Sequence, residues 1–94
     1  MTQSTSHVQT PMASQYLQQL CKHFGHKVPV EFDEREGSIR LPFGTCVLQA
    51  RDEELVLTVA GADLQKIEQV MGSHLERFAF RESLTVIWDK ASTS

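Results

Sequence analysis

Four residues of this chain carry side chains that commonly bind transition metals or transfer protons. They are Cys21, His23, His26 and His74. Thiolate and imidazole groups are preferred ligands of zinc, copper and iron in proteins. Because the first three lie close together in the chain, one hypothesis is a transition-metal site formed by this Cys/His cluster, which His74 joins if folding brings it near.

Helical geometry weakens this hypothesis for the cysteine. Cys21 and His23 fall in one predicted helix, where side chains two residues apart point about 200° away from each other. Cys21 also lies in the apolar stripe of that helix, and a buried free cysteine behaves as a small hydrophobic residue. His23 and His26 flank Gly25, where a turn could bring them together, but two ligands do not complete a metal site. Alternatively, the basic residues here only offset the negative end of the helix dipole.

His74 lies on the apolar side of a second predicted helix. Such a histidine is most often buried and bonded to a backbone carbonyl group. It could instead act as the general base of a small enzyme, with Arg77 or Arg81 holding an anionic substrate. Together with Lys22 and Lys27, these two arginines also form a candidate patch for an anion or an acidic partner.

Other motifs for catalysis or cofactor binding are absent from the sequence. The five glycines form neither a Gly-x-Ser-x-Gly elbow nor a phosphate-binding loop. Cys21 and Cys46 both fall on predicted inward faces, where a thiol is not activated as a nucleophile. The sequence therefore favours a domain without catalysis of its own, and it assigns no catalytic residue and no organic cofactor.

Charge and composition exclude several classes of protein. Nine basic and twelve acidic residues give a formal net charge of -3, which argues against a nucleic-acid-binding protein. No apolar run approaches the roughly 18 residues of a membrane-spanning helix, and the first residues do not resemble a signal peptide. Two cysteines are too few for a disulfide framework. We therefore expect a cytoplasmic protein with reduced thiols that binds neither nucleic acid nor membrane.

Two amphipathic helices are predicted to position these residues. The first has Thr10 as its N-cap and ends at Gly25, which we expect to be left-handed. The second runs from about residue 62 to 79, with Asp63 near its start, and Gly72 suggests a close approach to the sheet or to the first helix. The apolar stripes comprise Ala13, Tyr16, Leu17, Leu20, Cys21 and Phe24 in the first helix, and Leu64, Ile67, Met71, Leu75 and Phe78 in the second.

Alternating apolar residues between the helices predict β-strands. Four strands joined by short turns are expected at residues 28–32, 38–43, 45–50 and 55–59, with an edge or a break at Pro42. A last strand is expected at residues 84–88, and a short edge strand could form at 7–10. The predicted fold is a two-layer α+β sandwich of order (β)-α-β-β-β-β-α-β, with both helices on one face of a mainly antiparallel sheet. It forms a single domain over residues 7–90, between flexible tails at 1–6 and 91–94.

Three stretches of the sequence match a family pattern in order and spacing. They are residues 16–27, 37–46 and 74–82, with Trp88 following, and they contain all four Cys and His candidates. On these stretches the chain resembles a bacterial family known as domain of unknown function 2218, which has no settled activity. Some members lie beside, or are fused to, flavin-dependent siderophore-interacting proteins. The resemblance implies an accessory domain in siderophore or iron handling, with such a flavoprotein as its partner.

The leading hypothesis is therefore a small accessory or binding domain without catalytic activity. The alternatives are a transition-metal-binding protein that uses the Cys/His cluster, and a small enzyme that uses His74 as a base. An open sheet also has edge strands that can pair with another chain. A homodimer through residues 45–50 or 84–88 is a further expectation.

Overall fold

The fold is described by a computed structural model that covers residues 3–79, 82 and 86–90. The α+β class and the predicted order of the elements are confirmed. In chain order they are β1 (Gln3–Gln9), α1 (Ala13–Phe24), β2 (Val30–Phe32), β3 (Glu36–Leu41), β4 (Gly44–Arg51), β5 (Glu54–Ala60), α2 (Leu64–Phe78) and β6 (Asp89–Lys90). None of the helices in this part of the chain is long and apolar enough to cross a membrane.

The six strands form one antiparallel sheet in the order β2-β3-β4-β5-β1-β6. Strand β1 lies inside this sheet and pairs with β5 from Gln3↔Ala60 to Gln9↔Glu54. The prediction of a short edge strand at 7–10 is therefore wrong, and residues 3–6 belong to the folded domain rather than to a tail. Alternation explains the strand, because Ser4, Ser6 and Val8 all point into the core.

The predicted hairpins are present with small shifts. Pro42 lies in the turn between β3 and β4, so the strand ends where a missing N–H would interrupt the ladder. Gly37, which the sequence places in a turn, is instead buried in β3. A Cβ atom at Gly37 would lie 2.8 Å from Cys21 Sγ, and the close packing of α1 on this strand therefore requires glycine.

The last strand and the sheet edges also differ from expectation. Residues 86–88 are not in a strand, the strand lies at Asp89–Lys90, and residues 84 and 85 lie outside the described part of the chain. Strand β4 pairs with β3 on one side and β5 on the other, so residues 45–50 cannot provide an edge. A second copy that adds to this sheet would have to pair with β2 or β6.

The bounds of the helices follow local hydrogen bonds. Helix α1 begins at Ala13, because Thr10 Oγ1 accepts from the N–H of Met12 and so shapes the turn before the helix rather than capping it. Gly25 has φ -62° and ψ -15°, which is right-handed, so the prediction of a left-handed residue at this position is wrong. Asp63, near the predicted start of the second helix, is its N-cap, since its Oδ1 accepts from the N–H of Lys66 at 3.2 Å.

Both helices pack on one face of the sheet and form a single core with it. The predicted apolar stripes of α1 and α2 supply most of the core residues that come from helices, and alternate residues of the strands supply the remainder of the core. The largest fully buried apolar side chains are Leu17, Leu20, Ile39, Leu48, Leu55, Leu57, Ile67, Met71 and Leu75. Burial of each such side chain contributes about 1.5–3 kcal/mol relative to exposure.

Two glycines, one in β4 and one in α2, differ in the space around them. A Cβ atom at Gly44, where φ is +157°, would meet the Ile67 side chain and lie 2.5 Å from the carbonyl oxygen of Ala60. At Gly72 a Cβ atom would lie 3.4 Å from Trp88 Nε1, which is ordinary contact. The small residue at position 72 thus lets residues 86–88 pack close to α2. The close approach is made by this segment, and not by the sheet or α1 as the sequence suggests.

We expect Gly44→Ala and Gly72→Ala to change stability in opposite directions. Gly44→Ala should lower the free energy of unfolding by about 2 kcal/mol or more, because the Ala60 carbonyl is fixed in the β4–β5 pairing and cannot move. Gly72→Ala should leave it unchanged or raise it by up to about 1 kcal/mol, because alanine favours a helix interior. Urea denaturation of the two variants tests this, and equal losses would contradict it.

Candidate functional site

The last turn of α1 and the third and fourth turns of α2 bring two histidines together. The ring centroids of His23 and His74 are 5.0 Å apart. The Phe24 ring is tilted by 53° against His74 at a centroid distance of 4.9 Å, and Phe78 and His23 form an edge-to-face pair at 5.6 Å. We call these four residues the His/Phe cluster. His74 and Phe78 are four residues apart and so share one side of α2, which faces the end of α1.

His74 forms the hydrogen bond expected of a histidine on a helix. Its Nδ1 lies 2.7 Å from the carbonyl oxygen of Val70 and must donate, because a carbonyl oxygen only accepts. In the neutral ring Nε2 is then the acceptor and a potential metal ligand or base. The side chain is half-buried rather than fully buried.

The surroundings of His23 lower its pKa below the usual 6.5. Desolvation is the largest cause, because the packed rings displace water from one side of the imidazole. Positive charge acts in the same direction, and its sources are His74, Lys27, His26 and Arg77. The environment of His23 is therefore electropositive.

Cys21 does not belong to this cluster. Its side chain is fully buried against β3, and burial raises the pKa of the thiol to about 11. Cys46 is also fully buried, and burial followed by the nearby Cys21 raises its thiol pKa well above the usual range. Both cysteines are free. Cys21 thus lies apart from the histidines, as helical geometry predicts, because Cys21 and His23 point to opposite sides of α1.

Three of the remaining candidates, His26, Lys27 and Arg77, lie near enough to His23 for their charge to lower its pKa. His26 is exposed in the turn after α1 and contributes charge to His23. Lys22, Lys27 and Arg77 are exposed, whereas Arg81 lies outside the described residues. Across residues 3–79, 82 and 86–90, no group of three or more His, Cys, Asp or Glu side chains is arranged to hold a metal ion. The geometry offers two imidazoles and surrounding cations.

A carboxylate that the sequence patterns do not single out, Glu82, joins distant parts of the chain. Glu82 accepts hydrogen bonds from Thr10 Oγ1 at 2.8 Å and from the hydroxyl of Tyr16. Burial, with Glu82 as the second cause, raises the pKa of Tyr16 to about 12, so the phenol stays protonated and serves as a donor. The signal in the sequence was a tyrosine on an apolar stripe, since a buried hydroxyl needs an acceptor.

Comparisons with known proteins place this architecture among bacterial proteins. A family model described as "Uncharacterized protein conserved in bacteria (DUF2218)" matches residues 5–89. The NMR structure of PA4090 from Pseudomonas aeruginosa is similar, with 36% sequence identity, a TM-score of 0.77, and coverage of 95% of this chain and 96% of that chain. No curated protein matches.

Replacing His74 with phenylalanine should raise the pKa of His23 without restoring it to 6.5. The repelling charge disappears, whereas desolvation by an aromatic ring remains. NMR titration of the imidazole protons measures this pKa. In the control variant His26→Gln the pKa should rise less, because His26 contributes less than His74. An unchanged His23 pKa in His74→Phe would contradict the electrostatic interaction between His23 and His74.

The lowered pKa of His23 also gives the fold a pH dependence. The unfolded chain has a pKa near 6.5 at this residue, so between 6.5 and the lower folded-state pKa the unfolded state binds more protons. This contribution to stability is therefore complete above pH 6.5 and is lost as the pH falls through that window. In urea denaturation, His23→Gln should lose less stability on acidification than the unmodified protein. An identical loss in both would refute this linkage.

Proposed function

Because the family match covers residues 5–89, the chain belongs to the uncharacterised bacterial family DUF2218, as its sequence resemblance indicates, and we propose that it is a binding domain for an anionic ligand. The binding surface is the His/Phe cluster with Lys22, Lys27 and Arg77 around it. The domain has no catalysis of its own. Its place is in the cytoplasm, in siderophore or iron handling, beside a siderophore-interacting flavoprotein as partner.

The observation that carries this proposal is the placement of His23 and His74, 5.0 Å apart, beside exposed Lys27 and Arg77, whose positive charge lowers the pKa of His23. Among the described residues, the single salt bridge is His7–Glu54, which joins β1 to β5 and not the cluster. The cations of the cluster are thus not neutralised by a salt bridge within this part of the chain. An anion placed there gains favourable energy from all of them at once.

The aromatic rings favour one class of anion. Phe24 and Phe78 offer apolar ring surface beside His23 and His74, and planar aromatic ligands pack well on such rings. Ferric catecholate complexes combine negative charge with aromatic rings, which suits this surface. The association with siderophore-interacting proteins that the sequence resemblance implies agrees with this chemistry.

Binding of a gallium(III) catecholate complex tests the proposal. Gallium replaces iron because it is diamagnetic, so amide NMR shifts can be followed. We expect shifts at residues 22–27 and 74–78, and an affinity that falls as salt rises. Lys27→Ala and Arg77→Ala should each weaken binding several-fold, whereas the control Arg51→Ala, at the end of β4, should not. Shifts confined to other residues, or equal binding of neutral catechol, would refute it.

A second candidate function is transition-metal binding by His23 and His74. The observation that favours it is their ring distance of 5.0 Å, together with the orientation of His74 that leaves Nε2 as a potential ligand. External ligands or a partner would have to complete the coordination.

Titration with zinc distinguishes this candidate. If it is correct, one zinc ion binds per chain and His74→Phe abolishes binding, while the control His7→Gln on β1 leaves it intact. Isothermal titration calorimetry of untagged protein measures both. Absence of stoichiometric binding, or equal binding by His74→Phe, would end the metal hypothesis.

A further inference from the structure

A groove lies between α2 and residues 86–88, away from the His/Phe cluster. It is open to solvent and has a volume of about 480 Å³, and its lining includes Glu68, Gly72, Glu76, Val86 and Trp88. The three helical residues recur every four positions and so form one row along α2. Positions 72 and 74 are about 200° apart around the helix, so this row and His74 are on nearly opposite sides.

Glu68 belongs to the lining of this groove and carries an unsatisfied acceptor that is buried beneath its surface. The residue is only 9% exposed although it is acidic, and its buried Oε2 has no hydrogen-bond partner. A buried carboxylate oxygen without a donor is costly, because water can no longer solvate it. A ligand in the groove that supplies a donor, preferably with positive charge, would remove that cost.

The opposite wall of the groove is aromatic and held in place. Glu76 Oε2 accepts from the N–H of Val86 at 2.9 Å, which ties residues 86–88 to the helix. Trp88 approaches α2 over Gly72, where a Cβ atom would lie 3.4 Å from its Nε1. Indole rings attract cations more strongly than other aromatic side chains do. The groove therefore combines a buried acid, a second acid and a tryptophan.

We propose that this groove binds a primary alkylammonium ion. The Glu68 side chain turns towards the groove so that its Oε2, which is inaccessible to solvent in the unbound protein, accepts from the ammonium group, and the alkyl chain packs on Trp88 and Val86. A primary ammonium fits better than a quaternary one, because only the former has N–H donors for the unsatisfied oxygen. A divalent metal fits less well, because it needs several oxygen ligands and the described residues form no such group.

This site is independent of the proposed anion site. The two lie on nearly opposite sides of α2 and select ligands of opposite charge. Two sources could supply the ligand chemistry, namely a free polyamine and the side chain of a lysine in another protein. Both present a primary ammonium group at the end of an alkyl chain.

The chain has a single tryptophan, and it lies in the groove, so its fluorescence reports binding directly. We expect a saturable change with n-pentylammonium chloride and no such change with 1-pentanol, its neutral counterpart, or with sodium chloride. 1,4-Diaminobutane and Nα-acetyl-lysine methylamide then distinguish the sources, and the tighter binder identifies the one that the groove fits.

Two variants assign the binding to Glu68. Glu68→Gln keeps the size of the side chain and should weaken pentylammonium binding by about tenfold or more, as expected for the loss of a charge-assisted hydrogen bond. The control Glu53→Gln, in the exposed turn between β4 and β5, should bind as the unmodified protein does. Equal responses to pentylammonium and pentanol in the unmodified protein would overturn the proposal without any variant. Unchanged affinity in a folded Glu68→Gln would overturn it as well.

Discussion

The pairing of β1 with β5 is the constraint on which the rest of the fold depends. Seven residue pairs join the two strands, and β1 then provides the only partner of β6 in the described sheet. Ser4 Oγ adds a hydrogen bond to the carbonyl of Asp89 at 3.4 Å. Thr10, directly after β1, donates from its N–H to Glu53 and from its hydroxyl to Glu82. Without this ladder, the segment that carries Trp88 would lose its attachment to the sheet and would keep its contacts with α2, among them the Glu76–Val86 hydrogen bond.

Helix α2 separates two surfaces of different chemistry. One side presents the His/Phe cluster with its cations, and the other presents Glu68 and Glu76 beneath Trp88. The apolar row of Ile67, Met71 and Leu75 between them is fully buried and fixes the rotation of the helix about its axis. Because a rotation that exposed this row would cost several kcal/mol, the two surfaces keep their positions relative to each other.

The sequence predicts best where burial and side-chain type agree. The stripe of α1 and the alternation of β4 and β5 are confirmed because each inward position is apolar. The prediction fails at β1, because Ser4 and Ser6 are small polar residues that are buried only once β5 pairs with them. The prediction of a left-handed Gly25 fails for a local reason. The N–H groups of Lys27 and Val28 both donate to the carbonyl of Phe24, so the chain continues in a right-handed turn.

The candidate sites were predictable only in part. Helical spacing separates Cys21 from His23 correctly, but it cannot predict that His23 meets His74, since this contact depends on how α1 packs on α2. Glu68 is an acidic residue, which sequence reasoning places on the solvent side of a helix, yet it is only 9% exposed in the fold and lines the same groove as Val86 and Trp88.

The pairing of Ser4 with Lys90 has a mechanical consequence. Residues 3 and 90 lie at the same end of two antiparallel strands, so tension between them opens the hydrogen bonds one after another instead of loading them together. Along this direction the β1–β6 pairing separates by unzipping, which needs less force than shearing all of its hydrogen bonds at once.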